Sequence, residues 1–276
     1  MKRFLAVLAC TATVCAIVGC VSDPLVPQTT APPTGRTITW QDEFDGPAGS
    51  SPNAAKWTYD IGTDWGNSQL EYDTNRPENV SLDGAGHLRI VAKQESYLGS
   101  NYTSARILTR GLFTQAKGRF EARIQLPVGQ GIWPAFWLLG NDIGSVGWPS
   151  CGEIDIMEYR GQQPTKSTGS LHGPGYSGGG ALTSTYTLPT GTFNGGYHVF
   201  AVEWETGKVT WLVDDVPYQT RTASDVPPSG RWVFEHPFFI ILNVAVGGNY
   251  VGSPDVSTVF PQTMLVDYVR VYQAKS

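Results

Sequence analysis

Apolar and polar residues alternate with a period of two along much of this 276-residue chain. In residues 119–126 the apolar set Phe120, Ala122, Ile124 and Leu126 alternates with Arg119, Glu121, Arg123 and Gln125. That pattern turns one face of a strand to a core and the other to water. Residues 198–204 repeat it, with Phe200, Val202 and Trp204 on one face and Glu203 on the other. Residues 88–93, 208–214 and 266–272 are further predicted strands. The run Phe238–Val246 is nearly continuous in apolar residues, as expected of a strand covered on both faces. Gly, Pro, Asn and Asp clusters separate these runs, and past the first twenty residues neither a helical period nor an internal repeat stands out. Many short strands joined by such turns predict an all-β fold, a single antiparallel β-sandwich.

Composition narrows the class. Charged residues make up only 16% and hydrophobic residues 41%, which excludes a disordered chain. Glycine (32 residues) supplies turns, and aromatics at 12% supply large flat surfaces. The net charge of −5 becomes −7 without Lys2 and Arg3. An acidic chain of this kind lacks the clustered cations of a general nucleic-acid binder.

Lys2 and Arg3 precede an apolar run over residues 4–18, then Gly19 and Cys20. This is the order of a bacterial-type signal peptide over residues 1–20. The run is shorter than the roughly 20 residues of a membrane span, and no later stretch is longer, so a transmembrane protein is excluded. Ile17-Val18-Gly19-Cys20 fits a lipobox that would leave Cys20 lipidated. Plain secretion, with Cys20 incidental, fits the same residues. The expected location is outside the cytoplasm, lipid-anchored at the cell surface or secreted. Cys10 and Cys15 leave with the signal, so Cys151 has no disulfide partner. Residues 21–35 are rich in Pro and Thr and read as an extended linker. Residues 36–276 remain for one large domain.

The decisive segment is Gly152-Glu153-Ile154-Asp155-Ile156-Met157-Glu158-Tyr159. Three acids fall in an otherwise apolar stretch, where burying negative charge is costly. Alternation puts Glu153 and Asp155 on one strand face, but Glu158 is five residues from Glu153 and out of phase. A helix does no better, since five residues rotate about 140° past a full turn. One extra residue, a β-bulge near Met157, restores the phase and lines all three carboxylates on one face. Mutual repulsion then separates their pKa values, so that one stays protonated while another ionises. Such a pair can serve as nucleophile and acid/base on a glycosidic bond. A calcium site or a solvated edge strand is the bland alternative, although calcium favours oxygen ligands spread over loops.

Trp148-Pro149-Ser150-Cys151 running into that segment resembles the active-site strand of glycoside hydrolase family sixteen, in particular its laminarinase-type endo-1,3-β-glucanases. Gly131-Ile132-Trp133-Pro134-Ala135-Phe136-Trp137-Leu138-Leu139-Gly140, Trp40-Gln41-Asp42-Glu43-Phe44 and Asp267-Tyr268-Val269-Arg270-Val271-Tyr272 carry the same resemblance. It implies a β-jelly-roll, concanavalin A-like sandwich with a concave substrate cleft. It also implies a retaining mechanism with Glu153 as nucleophile, Glu158 as general acid/base and Asp155 between them, and no cofactor for catalysis. Met157, the bulge residue, resembles the laminarinase form of the strand; related lichenases lack it. That favours β-1,3 linkages, with mixed-linkage glucan also in range. The expected partner is the polysaccharide, acted on by a monomer.

By the same resemblance Trp133, Trp137 and Trp148 line the cleft. Trp133 and Trp137 share a strand face, and indole rings pack on the C–H faces of sugars. Asn67 matches a substrate-binding position of the family, with Glu71 a weaker candidate. Arg106 resembles an arginine beside the nucleophile, where an ordinary surface salt bridge is the alternative. His172 is either a substrate contact next to the acids or a loop histidine. Asn243 interrupts the apolar run, so its amide either meets substrate or is satisfied within the structure. Glu43, the Gly86 carbonyl and Asp267 resemble the family's structural calcium ligands on the opposite side.

Gly175-Tyr176-Ser177-Gly178-Gly179 fits the G-x-S-x-G pattern of a serine hydrolase. That motif needs a strand before the serine and a helix after it, and three consecutive glycines cannot start a good helix. A noncatalytic glucan-binding module of the same fold is the rival from another class, disfavoured because all three acids are present. A transglycosylase shares the first half-reaction and stays open.

Overall fold

The computed structural model describes residues 35–274. The predicted leader with Cys20, and the linker up to residue 34, lie outside the described residues. The strands in order are β1 (Arg36–Asp42), β2 (Thr58–Asp60), β3 (Glu71–Asp73), β4 (Val80–Leu82), β5 (Leu88–Tyr97), β6 (Ser100–Ser104), β7 (Arg106–Leu108) and β8 (Gly118–Gln125). There follow β9 (Ile132–Gly140), the one-turn helix α1 (Ile143–Val146), β10 (Glu153–Tyr159), β11 (Lys166–His172) and β12 (Leu182–Thr187). The last are β13 (His198–Glu205), β14 (Lys208–Val213), β15 (Val216–Thr222), β16 (Phe238–Val246) and β17 (Gln262–Ala274).

The predicted all-β sandwich is what forms. One sheet has the order β15-β14-β13-β8-β17-β5-β6-β3, with β1 on β17 and β4 on β5. The other has the order β12-β11-β10-β9-β16-β7-β2. Pairing is antiparallel except between β3 and β6, which run parallel, a departure from the purely antiparallel expectation. The core lies between the sheets. Phe120, Ala122 and Ile124 of β8 and Phe200, Val202 and Trp204 of β13 meet Phe136, Leu138, Ile154, Ile240 and Leu242 of the seven-stranded sheet. Removing each large side chain from water contributes about 1.5–3 kcal/mol.

Two strands differ instructively from their sequence pattern. The polar face of β8 is not solvated: Arg119 and Glu121 are buried. Arg119 Nε meets Glu121 Oε2 at 2.6 Å, and the Tyr272 hydroxyl donates to Glu121 Oε1, so the charges are paired as buried charges must be. In β16, by contrast, every residue is buried as predicted. Its inner side chains join the main core, while Phe239 and Ile241 pack with Leu108, Leu139 and Cys151 on the outer face. The outer face of the seven-stranded sheet is therefore partly covered, and the cleft residues stand on it.

Candidate active site

The bulge in β10 builds the site. Its register against β9 shifts between Asp155 and Met157, and against β11 between Asp155 and Glu158. Ile154, Ile156 and Met157 all enter the main core. Two consecutive inward side chains, Ile156 and Met157, return Glu158 to the outer face that carries Glu153 and Asp155. Beneath the bulge Trp211 Nε1 donates to the Asp155 carbonyl at 2.7 Å, giving the irregular backbone a partner.

Each outer acid is held by an indole. Trp148 Nε1 donates to Glu153 Oε2 at 2.9 Å, and Trp133 Nε1 donates to Glu158 Oε1 at 3.1 Å. His172 stands across from the pair at the start of the strand, with Nε2 3.0 Å from Asp155 Oδ2 and 3.7 Å from Glu153 Oε1. Burial raises all three carboxyls. It pushes Glu153 up to about 8, with Asp155 repulsion adding to it, and Asp155 up to about 7. Glu158 goes well above the usual range, through burial and then the charges of Asp155 and Glu153. The three acids titrate as a cluster, each favouring its protonated form more than an ordinary carboxyl does. This is the supply a general acid needs, while the indole N–H bonds favour the anion once formed.

Trp148 is half exposed with its ring 6.1 Å from His172, whereas Trp133 is nearly covered and lies 5.0 Å from the Tyr250 ring. Trp137 Nε1 donates to Asn243 Oδ1 at 2.8 Å, so the Asn243 amide is satisfied within the structure on its oxygen side while standing on the cleft face. Arg106 sits in register opposite Asn243 and Asp60. Its guanidinium lies 4.8 Å from the Trp137 ring and 5.3 Å from Trp65, and its Nε meets Asp60 Oδ2 at 3.0 Å. The salt bridge is real, but it is wedged between indoles beside the cleft. Asn67 is exposed in a left-handed backbone conformation (φ 54°), which asparagine tolerates. Its carbonyl accepts from Asn249 N at 2.7 Å.

Glu71 corrects its expectation. It is buried at 1% exposure, its Oε2 accepts from Val246 N at 2.7 Å, and burial pushes it up to about 7. It pins the wall of the cleft and does not face sugar. Sequence reading missed Trp65 and Tyr250. Tyr250 packs tilted against Trp133 beneath the Arg160 guanidinium, 4.0 Å away. The one available signal was an aromatic following the Gly247-Gly248 turn at the end of β16.

Donor atoms of Glu153, Asp155 and His172 lie within 4.8 Å of one another, yet His172 Nδ1 accepts from Gly178 N at 3.1 Å. The ring proton of the neutral imidazole is then on Nε2, which has no lone pair to give. On the other sheet, the oxygen donors of Glu43, Gly86 and Asp267 suit a hard cation. Each carboxylate also meets a guanidinium: both Glu43 oxygens accept from Arg270 at 2.8 Å, and Asp267 Oδ2 from Arg123 at 2.7 Å. The G-x-S-x-G segment follows an antiparallel strand and continues as a single 3₁₀ turn, Gly178–Gly180, so it is no nucleophile elbow.

A β-sandwich that gathers carboxyls and indoles on one sheet face has the architecture of a polysaccharide-cleaving enzyme. Residues 59–270 match the sequence model of the Glycosyl hydrolases family 16, and the chain belongs to that family of glycoside hydrolases. A β-glucanase from Rhodothermus marinus is 41% identical over 247 residues, spanning 86% of this chain and 85% of its own. Among solved structures, the laminarinase catalytic domain from Thermotoga maritima is 44% identical with a TM-score of 0.81, covering 86% of this chain and 98% of that one. The endo-β-1,3-glucanase from Pyrococcus furiosus is also 44% identical, with a TM-score of 0.82 over 86% and 94%. These neighbours carry the jelly-roll fold that the sequence resemblance implied.

Proposed function

We propose that this protein is a retaining, endo-acting hydrolase of laminarin-type β-1,3-glucan. Glu153 is the nucleophile, Glu158 the general acid/base, and Asp155 tunes the pair. The observation that carries the reading is the bulge that returns Glu158 to the face of Glu153, with one indole N–H on each carboxyl. Protonated Glu158 gives its proton to the glycosidic oxygen as Glu153 attacks the anomeric carbon, and the leaving sugar departs as an alcohol. Ionised Glu158 then takes a proton from water. The water oxygen bonds to the anomeric carbon, the Glu153 ester bond breaks, and both carboxyls return to their starting states. Asn67, Arg106, Trp133, Trp137, Trp148, His172 and Asn243 line the sugar path. The names of the relatives support β-1,3-glucan as substrate, and mixed-linkage glucan is included in the proposal.

The enzyme acts outside the cytoplasm as a monomer, exported by its leader and either anchored through Cys20 or secreted. A structural calcium ion at Glu43, the Gly86 carbonyl and Asp267 belongs to the same proposal, remote from the chemistry. The test is a product profile on laminarin and lichenan, with the anomer of the first product read by NMR. Oligosaccharides of retained configuration, lost by at least about a thousandfold in Glu153→Gln, support the reading. Binding of laminarin without cleavage would turn it into a glucan-binding module.

A further inference from the structure

The turn at Ser177–Gly180, left without a role once the serine-hydrolase motif is set aside, touches the site at one atom. Gly178 N lies 3.1 Å from His172 Nδ1. A backbone N–H can only donate, so Nδ1 must present its lone pair. The proton of the neutral ring therefore sits on Nε2, 3.0 Å from Asp155 Oδ2 and 3.7 Å from Glu153 Oε1. His87 and His198 are arranged the other way round: each turns Nδ1 toward a carboxylate, Asp83 or Asp214, at 2.7 Å.

The turn is built to hold that N–H in place. At its base Gly173 and Tyr176 form an isolated bridge, and buried Tyr176 donates its hydroxyl to the Arg231 carbonyl at 2.9 Å. Gly178 itself has φ +56°, and a Cβ there would meet nothing within 4 Å. Its glycine is thus required by backbone conformation and not by space.

We propose that the Gly178 N–H is a positioning group for the reaction. It fixes His172 as the Nε2–H tautomer, so that the ring turns its N–H edge, and no lone pair, toward the Asp155 and Glu153 carboxyls. With Nδ1 engaged and Nε2 already protonated, His172 has no lone pair with which to compete for the proton that Glu158 delivers. The roles of the acids rest on the hydrolase reading above; the tautomer does not.

The experiment is a ¹⁵N-histidine NMR spectrum of the whole protein, with His172 assigned by the signal lost in His172→Gln, alongside kcat and KM on laminarin. The expected spectrum has a protonated Nε2 and an unprotonated, hydrogen-bonded Nδ1. Gly178→Val, whose branched side chain rejects a positive φ, should mix the tautomers and lower kcat about 3- to 10-fold with KM little changed. Gly178→Asn, which tolerates that conformation, should recover most of the rate and the tautomer. Gly179→Ala leaves the N–H in place and should match the wild type. A protonated Nδ1 in the wild type overturns the proposal, as does a Gly178→Val protein with wild-type tautomer and kcat. If laminarin is not cleaved while His172 is Nε2-protonated, the hydrolase reading fails and the tautomer assignment stands.

Discussion

Trp148 donates its indole N–H to Glu153 Oε2 at 2.9 Å while its ring remains half exposed at the cleft. One side chain therefore offers a flat surface to the cleft and a hydrogen bond to the proposed nucleophile. The two roles separate by substitution. Trp148→Phe keeps an aromatic face and loses the N–H; kcat on laminarin should fall about tenfold with KM nearly unchanged. Trp148→Ala should raise KM as well. Steady-state kinetics on both variants checks this.

In the proposed mechanism Glu158→Gln removes the proton donor and leaves the nucleophile. Cleavage of laminarin should fall by about 10²–10⁴, whereas an aryl glucoside, whose leaving group needs no proton, should lose far less. Added azide should restore a glycosyl product by attacking the trapped intermediate. Equal loss on both substrates would place the acid elsewhere.

The raised carboxyls make stability depend on pH in a definite direction. Glu153 moves from an ordinary 4.5 to about 8, and Asp155 from 3.8 to about 7. Over that interval the native state binds more protons than the unfolded chain, so stability falls as pH rises. The stabilisation is complete below about pH 4 and lost by about pH 8. Glu153→Gln, which cannot ionise, should therefore melt several degrees above wild type at pH 8 and much closer to it at pH 4. Thermal melts at the two pH values decide it.

Deleting Met157 removes the bulge yet leaves Glu-Ile-Asp-Ile-Glu, a regular alternation that keeps three acids on one face. The variant should fold, at a cost of a few kcal/mol for the lost core side chain. It should lose laminarin cleavage more than lichenan cleavage. A ratio of the two rates unchanged from wild type would detach linkage preference from the bulge.

Cys151 is fully buried, and burial together with the charges of Asp142 and Glu153 pushes its thiol up to about 11. Only the thiolate reacts readily. Iodoacetamide at pH 8 should leave the native enzyme unmodified and active, and should label Cys151 once the protein is unfolded; mass spectrometry reads both.

The sheets and the acid strand were legible because their physics is local. Phe238–Val246 declares itself by composition, and the odd spacing of Glu153 and Glu158 demands a bulge whatever surrounds it. Other features depend on pairs distant in sequence. Nothing near Glu121 announces that Tyr272 will cover it, and nothing near Glu71 announces the Val246 N–H that buries it. Arg106 and Asn243 each had two readings from sequence; they face each other in register on β7 and β16, with Trp137 between the guanidinium and the amide, an arrangement no local pattern announces.

The bond from Val246 N to Glu71 Oε2 joins positions 175 residues apart, and next to it Leu70 N donates to the Val246 carbonyl. Such contacts bring their loop-closure cost early and their reward late, and they slow folding. The wall that carries Asn67 takes its place only when the chain beyond residue 246 has docked. A nascent chain that already contains all three acids of β10 still has no cleft. Onset of glucanase activity during refolding should therefore trail the burial of the core, so that catalysis itself reports the completed chain.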